Sequence, residues 1–208
     1  SMHSSQNEQD SRFFGNFAMI PMLEPSGQQE AYDMVHYAFD LSEKFEIPVL
    51  MRITTRLAHS RAGVVRKSSR PQNGLKMPKT PNQFILLPAN ARRRYKLLLG
   101  LQDAFIKESE GSDFNKYIEA PDKKLGIIAC GIGYNYLVEN FSDHKVPHPV
   151  LKVGQYPLPK KFVERIYEEC DELLVLEEGY PLVEESLRGY MNNGKVIHGR
   201  LDGSIPRD

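Results

Sequence analysis

A chain of 208 residues with 40% apolar content has material for one large domain or two small ones around a buried core. Lys plus Arg and Asp plus Glu stand at 27 each, which removes the electrostatic case for nucleic acid or an anionic membrane as a partner. No apolar run approaches the roughly 20 residues of a membrane span, and the first residues lack the charged-then-apolar profile of a signal peptide, so a cytoplasmic location is expected.

The run HSSQNEQDSRFFG, residues 3–15, is dense in hydrogen-bonding side chains and has no apolar periodicity before Phe13. It reads either as an unstructured terminus or as a loop that holds something polar. FAMIPML (17–23) then predicts a short buried strand. The segment after it predicts a helix, with Ser26 as cap, Gln29 at the capping-box position, and Ala31, Met34, Val35, Ala38, Phe39, Leu41 and Phe45 on the 3.6-residue period. IPVLMRIT predicts a second strand, continuously apolar at 47–51 and therefore central and parallel. Together these make one β-α-β unit.

From 61 to 83 the pattern dissolves into a Pro-, Gly- and cation-rich stretch that reads as a linker. A connecting helix follows, with Pro88 in its first turn, a face of Tyr95, Leu98, Leu101, Gln102 and Phe105, and Gly111 at its end. From 121 to 208 strands alternate with helices: KLGIIACG, PVLKVGQY, ELLVLEEG and KVIHGRL are the strands. That alternation predicts a small doubly wound α/β domain with a mostly parallel sheet covered on both faces. Cys130 and Cys170 stand in apolar or helical patterns without CxxC or paired-His spacing, so buried reduced thiols are expected rather than a disulfide or a metal site.

In an open parallel sheet, ligands bind beyond the carboxyl ends of the strands. CGIGYNY supplies Gly131 and Gly133 there, but Tyr136 stands where a dinucleotide fingerprint wants Gly or Ala; a tight strand-to-helix turn is the simpler reading. Glu177 and Glu178 are adjacent on a strand and so point to opposite faces, which favours a helix-capping or interface carboxylate over a catalytic pair. Tyr156 fits equally a rigid turn shaped by Pro157 and Pro159 or an interdomain surface. Arg92, Arg93, Arg94 and Lys96 read as a solvated or docking face, packed against the acidic EEC and LEEG segments or another subunit. RITTRLAHSR places Arg52, Thr54, Thr55, Arg56, His59 and Ser60 at and beyond the end of a strand, and divides evenly between a polar interface and an anion site.

At these residues the sequence resembles the 2-oxoacid:ferredoxin oxidoreductases, most closely alpha subunits of the indolepyruvate branch. The matching pieces are HSSQNEQDSR, IPMLEPSGQQEAYDMVHYAFDLSEKFEIPVLMRITTRLAHSR, LPANARRR, VLKVGQYPLP, VLEEGYPLVEESL and GRLDGSIP, in family order over nearly the whole chain. The resemblance implies an internal piece of a thiamine diphosphate enzyme. Residues 1–66 would be the C-terminal part of a pyrimidine-binding domain, 67–120 a linker and connecting helix, and 121–208 a domain of the transketolase C-terminal type.

The same resemblance implies that Asn7, Gln9, Asp10 and Arg12 sit near the cofactor. Thr55 and Arg56 would sit near the oxoacid, with Arg56 pairing to its carboxylate or to a cofactor phosphate, and His59 would act as hydrogen bonder or proton relay. The implied reaction is oxidative decarboxylation of an aryl pyruvate, with electrons passed through iron–sulfur clusters to ferredoxin and the acyl group captured by coenzyme A beside a beta subunit. The sequence has no Gly-Asp-Gly stretch for magnesium and diphosphate and no CxxCxxC segment. The expectation is therefore a piece that neither binds thiamine diphosphate nor turns over by itself, and whose incomplete first sheet exposes an edge that favours homo-oligomers. The alternatives are a stand-alone scaffold of transketolase-like ancestry, or a subunit of a pyruvate or general 2-oxoacid oxidoreductase.

Overall fold

The computed structural model describes residues 9–72, 74–190, 195–199 and 202–205. The first unit contains α1 (Arg12–Ala18), β1 (Met22–Leu23), α2 (Gln28–Phe45), β2 (Leu50–Met51) and α3 (Thr55–His59). Among the described residues no regular element interrupts the linker until a 3-10 turn at Pro81–Phe84, and α4 (Pro88–Glu110) then runs to Gly111 as its composition predicts. The remainder holds β3 (Lys116–Ile118), β4 (Leu125–Cys130), α5 (Gly133–Glu139), β5 (Val150–Val153), β6 (Gln155–Tyr156), α6 (Lys160–Glu169), β7 (Glu172–Leu176), α7 (Leu182–Tyr190) and β8 (Ile197–His198).

The larger sheet has the order β3-β5-β4-β7-β8, parallel throughout except for β3, an antiparallel edge strand upstream of residue 121. Alternate residues of β4 feed two cores. Ile128 and Cys130 pack with Val163 and Ile166 of α6 and Val183 and Leu187 of α7. Ile127 and Ala129 pack with Leu137 of α5. This is the period-2 consequence of a strand covered by helices on both faces. Burying side chains such as Ile128, Leu151 and Leu173, all at 0% exposure, contributes about 1.5–3 kcal/mol each. Both cysteines are free and buried.

The predicted strand 149–156 is broken. At Gly154 the chain leaves the larger sheet and β6 pairs antiparallel with β1, giving a second sheet of order β2-β1-β6. Asn115 makes this transfer possible: its Oδ1 accepts from the backbone N–H groups of Gly154 (2.8 Å) and Gln155 (3.0 Å), and its Nδ2 donates to the Gln155 carbonyl (3.0 Å). The backbone groups that lose their ladder are thereby satisfied. Met22 of β1 lies in the same core as Tyr156, Ile128 and Val175, so the first unit and the larger sheet share one interior.

Three local expectations are corrected. The strand expected at 17–23 survives only at 22–23, because residues 12–18 form α1, ended by Met19 in the left-handed conformation. Gly15 permits the docking of α1, since a Cβ there would lie 1.9 Å from the Met22 sulfur. The cap of α2 is Gly27, not Ser26: Ser26 donates from N and Oγ to Glu30 (2.6 and 2.7 Å), while Gln29 turns outward and its Oε1 accepts from Val65 N–H (2.7 Å), tying the linker down. Of the apolar period of α2, only Met34 and Leu41 are buried, whereas Phe39 is 68% exposed. β2 is an open edge of the smaller sheet. No helix among the described residues is long and apolar enough to cross a membrane.

Candidate functional site

The carboxyl ends of β1, β2 and β7 meet at a buried cluster of charge. Arg12 opens α1 and is 0% exposed. Its Nε donates to both Asp10 oxygens (3.0 Å each), Nη1 to Glu177 Oε2 (2.8 Å), and Nη2 to Asp10 Oδ2 (2.5 Å) and the Tyr180 carbonyl (2.7 Å). Arg52, just after β2, pairs through Nη1 with Glu24 Oε1 and donates from Nη2 to the Glu178 carbonyl (2.7 Å). Its Nε lies 3.4 Å from Asp10 Oδ1. Tyr156 donates its phenolic proton to Glu24 Oε2 (2.7 Å). Three carboxylates, two guanidiniums and the Tyr156 phenol, from five segments, are thus removed from water together.

Glu177 does both things its sequence position suggested. It accepts from the backbone N–H groups of Val183 (3.1 Å) and Glu184 (3.2 Å) at the start of α7, and it is the interface partner of Arg12. Capping groups of this kind offset the unpaired N–H groups and partial positive charge of a helix start. Burial pushes the Glu177 carboxyl above its usual range, against the pull of Arg12 and the two N–H groups. Asp10 moves the other way: burial works to raise it, but the hydrogen bonds and charge of Arg12, joined by Arg52, hold it below its ordinary value. Burial also pushes the thiol of Cys130 well up, with Glu177 and Glu24 adding to the effect, so it is an unreactive neutral thiol.

Gly131 carries the turn from β4 into α5 at φ +49°, and a Cβ on it would lie 2.5 Å from Glu24 Cγ. A Cβ on Gly133 would meet the Leu176 carbonyl at 2.8 Å. The two glycines of CGIGYNY are therefore explained by a tight turn against the charge cluster, the simpler of the two readings. Tyr156, paired within β6 to β1, belongs to the junction between the two sheets.

The expected site residues fall into two layers. Asp10 and Arg12 lie inside, their polar atoms engaged with one another and with the β7–α7 turn, an arrangement that anchors a loop rather than one that holds a cofactor directly. Gln9 is exposed beside them, and Asn7 lies outside the described residues. RITTRLAHSR is divided by depth: Arg52 and Thr54 are buried, Thr55 is half-buried, and Arg56 and His59 are exposed on α3. The buried Arg52 and Thr54 fit the polar-interface reading of that stretch; Arg56 and His59, the residues of the anion-site reading, are at the surface.

Outside, the Arg56 guanidinium lies over the Tyr136 ring, 5.6 Å from its centroid, and Tyr136 donates to Glu178 Oε2 (3.1 Å). Ser60 accepts from the Gln28 amide (2.5 Å). Sequence reasoning weighed Tyr136 only as a misfit in a glycine motif and passed over Glu24; an acid directly after an apolar strand was the available signal. Arg94 donates to the Glu46 carbonyl (3.5 Å), and among the described residues no ion pair joins Arg92, Arg93, Arg94 or Lys96 to the acidic segments expected to receive them. Among the described residues no group of three His, Cys, Asp or Glu side chains is placed to hold a metal ion. An apolar cleft of about 250 Å³ beside Leu158, Val163 and Leu187 contains none of the expected site residues.

The chain is 36% identical to indolepyruvate oxidoreductase subunit IorA of Methanothermobacter thermautotrophicus over 214 aligned positions, covering 99% of this chain and 34% of that protein. The IorA subunits of Archaeoglobus fulgidus and Pyrococcus abyssi match at 37% and 40% identity, over 99% and 96% of this chain and 33% of each relative. The chain is similar to IorA along nearly its whole length. It spans about a third of the length of these IorA relatives. No protein-family model matches it. A solved structure of a 2-oxoglutarate:ferredoxin oxidoreductase from Magnetococcus marinus, with 2-oxoglutarate, coenzyme A and succinyl-CoA bound, superposes with a TM-score of 0.61 at 14% identity. It covers 92% of this chain and 41% of that one, a likeness of fold. The IorA likeness agrees with the 2-oxoacid oxidoreductase resemblance read from the sequence.

The opposed shifts of Asp10 and Glu177 give a pH test of the inner layer. Asp10, held below its ordinary value of 3.8, contributes stability that is complete above the unfolded pKa and is lost as pH falls through the folded one. Glu177, raised above 4.5, acts in the opposite sense: its contribution is complete below the unfolded pKa and is lost as pH rises through the folded one. The Asp10→Asn variant should therefore show a flatter fall of the urea midpoint between about pH 5 and pH 3 than the parent chain. Parallel curves for the two proteins would mean that Asp10 is not held in its charged form by Arg12.

Proposed function

We propose that this chain is the portion of an indolepyruvate:ferredoxin oxidoreductase alpha subunit that walls the oxoacid site. The observation that carries the reading is the position of Thr55, Arg56 and His59 on a short helix at the end of β2, directly after Arg52, a member of the buried Asp10, Arg12, Glu24 and Glu177 cluster. Arg56 binds the carboxylate of an aryl pyruvate, Thr55 donates a hydroxyl hydrogen bond beside it, and His59 holds or relays a proton at the reacting edge. The pyrimidine-domain and transketolase C-terminal assignments of the two parts belong to this reading, as do a cytoplasmic location and homo-oligomers formed through the open edge of β2.

Thiamine diphosphate with magnesium supplies the decarboxylation chemistry in this reading, and iron–sulfur clusters carry electrons to ferredoxin. Asp10 and Arg12 do not fit a direct role in holding that cofactor, because their polar atoms are engaged in the cluster, so no step is assigned through them. Gln9, exposed at the loop surface, is the described member of the first loop left for that side. A beta subunit, coenzyme A and the cofactor's diphosphate site lie with other segments, and the isolated 208-residue chain is expected to show neither turnover nor micromolar binding of thiamine diphosphate by calorimetry.

The direct test is Arg56→Ala in the full-length subunit assembled with its partner. KM for indolepyruvate should rise about tenfold or more, the loss expected for one charge-assisted contact, with a smaller change in kcat. An unchanged KM would overturn the oxoacid-site reading. It would favour the scaffold alternative, for which the exposed aromatic side chains of α1, Phe14 and Phe17, are the supporting feature.

A further inference from the structure

Arg56 stands on a helix of five residues with its side chain at the surface, and a carboxylate clamp loses less entropy on binding when such a side chain is already oriented. One contact that orients it comes from α5, on the larger sheet. Tyr136, in the first turns of α5, places its ring beneath the guanidinium at 5.6 Å from centroid to Cζ. The ring is itself fixed at its far end, where Oη donates to Glu178 Oε2 at 3.1 Å, and Glu178 is buried with its carbonyl held by Arg52. The α5 helix is tied to the first unit as well, through the Asn135 side chain, whose Nδ2 donates to the Ser26 carbonyl at 2.5 Å. Burial and the neighbouring Glu178 push the phenol up to about 12, so it remains a donor at neutral pH.

We propose that Tyr136 is a positioning residue of the oxoacid site, presenting its ring face to Arg56 so that the guanidinium meets the substrate carboxylate already oriented. The inference rests on the assignment of Arg56 above and extends it to a residue contributed by the larger sheet. A cation over a π-face is attracted by the ring quadrupole, and the attraction grows when water is excluded. The hydroxyl serves to aim the ring; the face does the holding.

The test uses the full-length enzyme with indolepyruvate and compares R56A, Y136F, Y136L and the double variant R56A/Y136L. Y136L should raise KM about fivefold with kcat within about twofold, as expected for loss of one cation–π contact. Y136F, which keeps the ring, should stay within about twofold of the parent. On the R56A background Y136L should add nothing, because the residue acts only through Arg56. If R56A raises KM and Y136L does not, or if Y136L adds its full effect to R56A, the positioning role is overturned while the Arg56 assignment stands. If R56A is itself neutral, both fall. Y136W serves should Y136L not assemble: it keeps a π-face and should hold KM near the parent value, and a rise matching R56A would overturn the proposal.

Discussion

Arg12→Met should destabilise the chain by about 3–5 kcal/mol, the cost of leaving buried charge without its partner. The methionine fills much of the same volume, so the loss is electrostatic rather than a cavity effect. Asp10, Glu24 and Glu177 have side chains no more than 2% exposed and lie within 3.8 Å of the Arg12 guanidinium. Without Arg12, Arg52 is the cation of the cluster left to face all three carboxylates. Urea unfolding at neutral pH reads the effect as a fall in midpoint at unchanged slope. The combined variant Arg12→Met with Asp10→Asn and Glu177→Gln should recover part of the loss, because polar groups removed together cost less than a charge orphaned alone. If the single and combined variants are equally destabilised, the role of Arg12 is packing of its alkyl stem and not compensation of charge.

The second large effect is expected at Gly131→Ala. A left-handed backbone costs an L-residue about 1–2 kcal/mol, and the new methyl would press into buried Glu24, 2.5 Å away, adding about 1–3 kcal/mol of overpacking. Both costs arise at the turn that seats α5, so the destabilisation should be accompanied by weaker positioning of the Tyr136 ring. Gly100→Ala is the control: it lies within α4 with nothing within 4 Å of the added Cβ, and should stabilise by about 0.5–1 kcal/mol through helix propensity alone. A Gly131 variant as stable as the parent in the same urea series would remove the close approach between this turn and Glu24 from the account.

The composition and periodicity of this chain determine most of its elements. The apolar run of β4 and the alternation after it specify a parallel sheet buried on both faces, because each period allows one way to hide its apolar side. The Pro-, Gly- and cation-rich linker and the bounds of α4 follow from local chemistry in the same manner. The family likeness is also a property of the sequence, carried by runs of specific residues along nearly the whole chain and by no periodicity.

Tertiary structure alone decided where the polar residues go. Asp10, Arg12 and Arg52 look, in sequence, like Gln9, Arg56 and His59, and only the convergence of five segments turns the first three inward and leaves the others at the surface. The transfer of β6 to the first sheet was equally illegible, because Gly154 interrupts an apolar run without changing its character, and the Asn115 amide that satisfies the break lies about forty residues upstream. Charges separated by up to 167 residues in sequence, as Asp10 is from Glu177, are coupled by distance in space, and local sequence carries no signal for that distance.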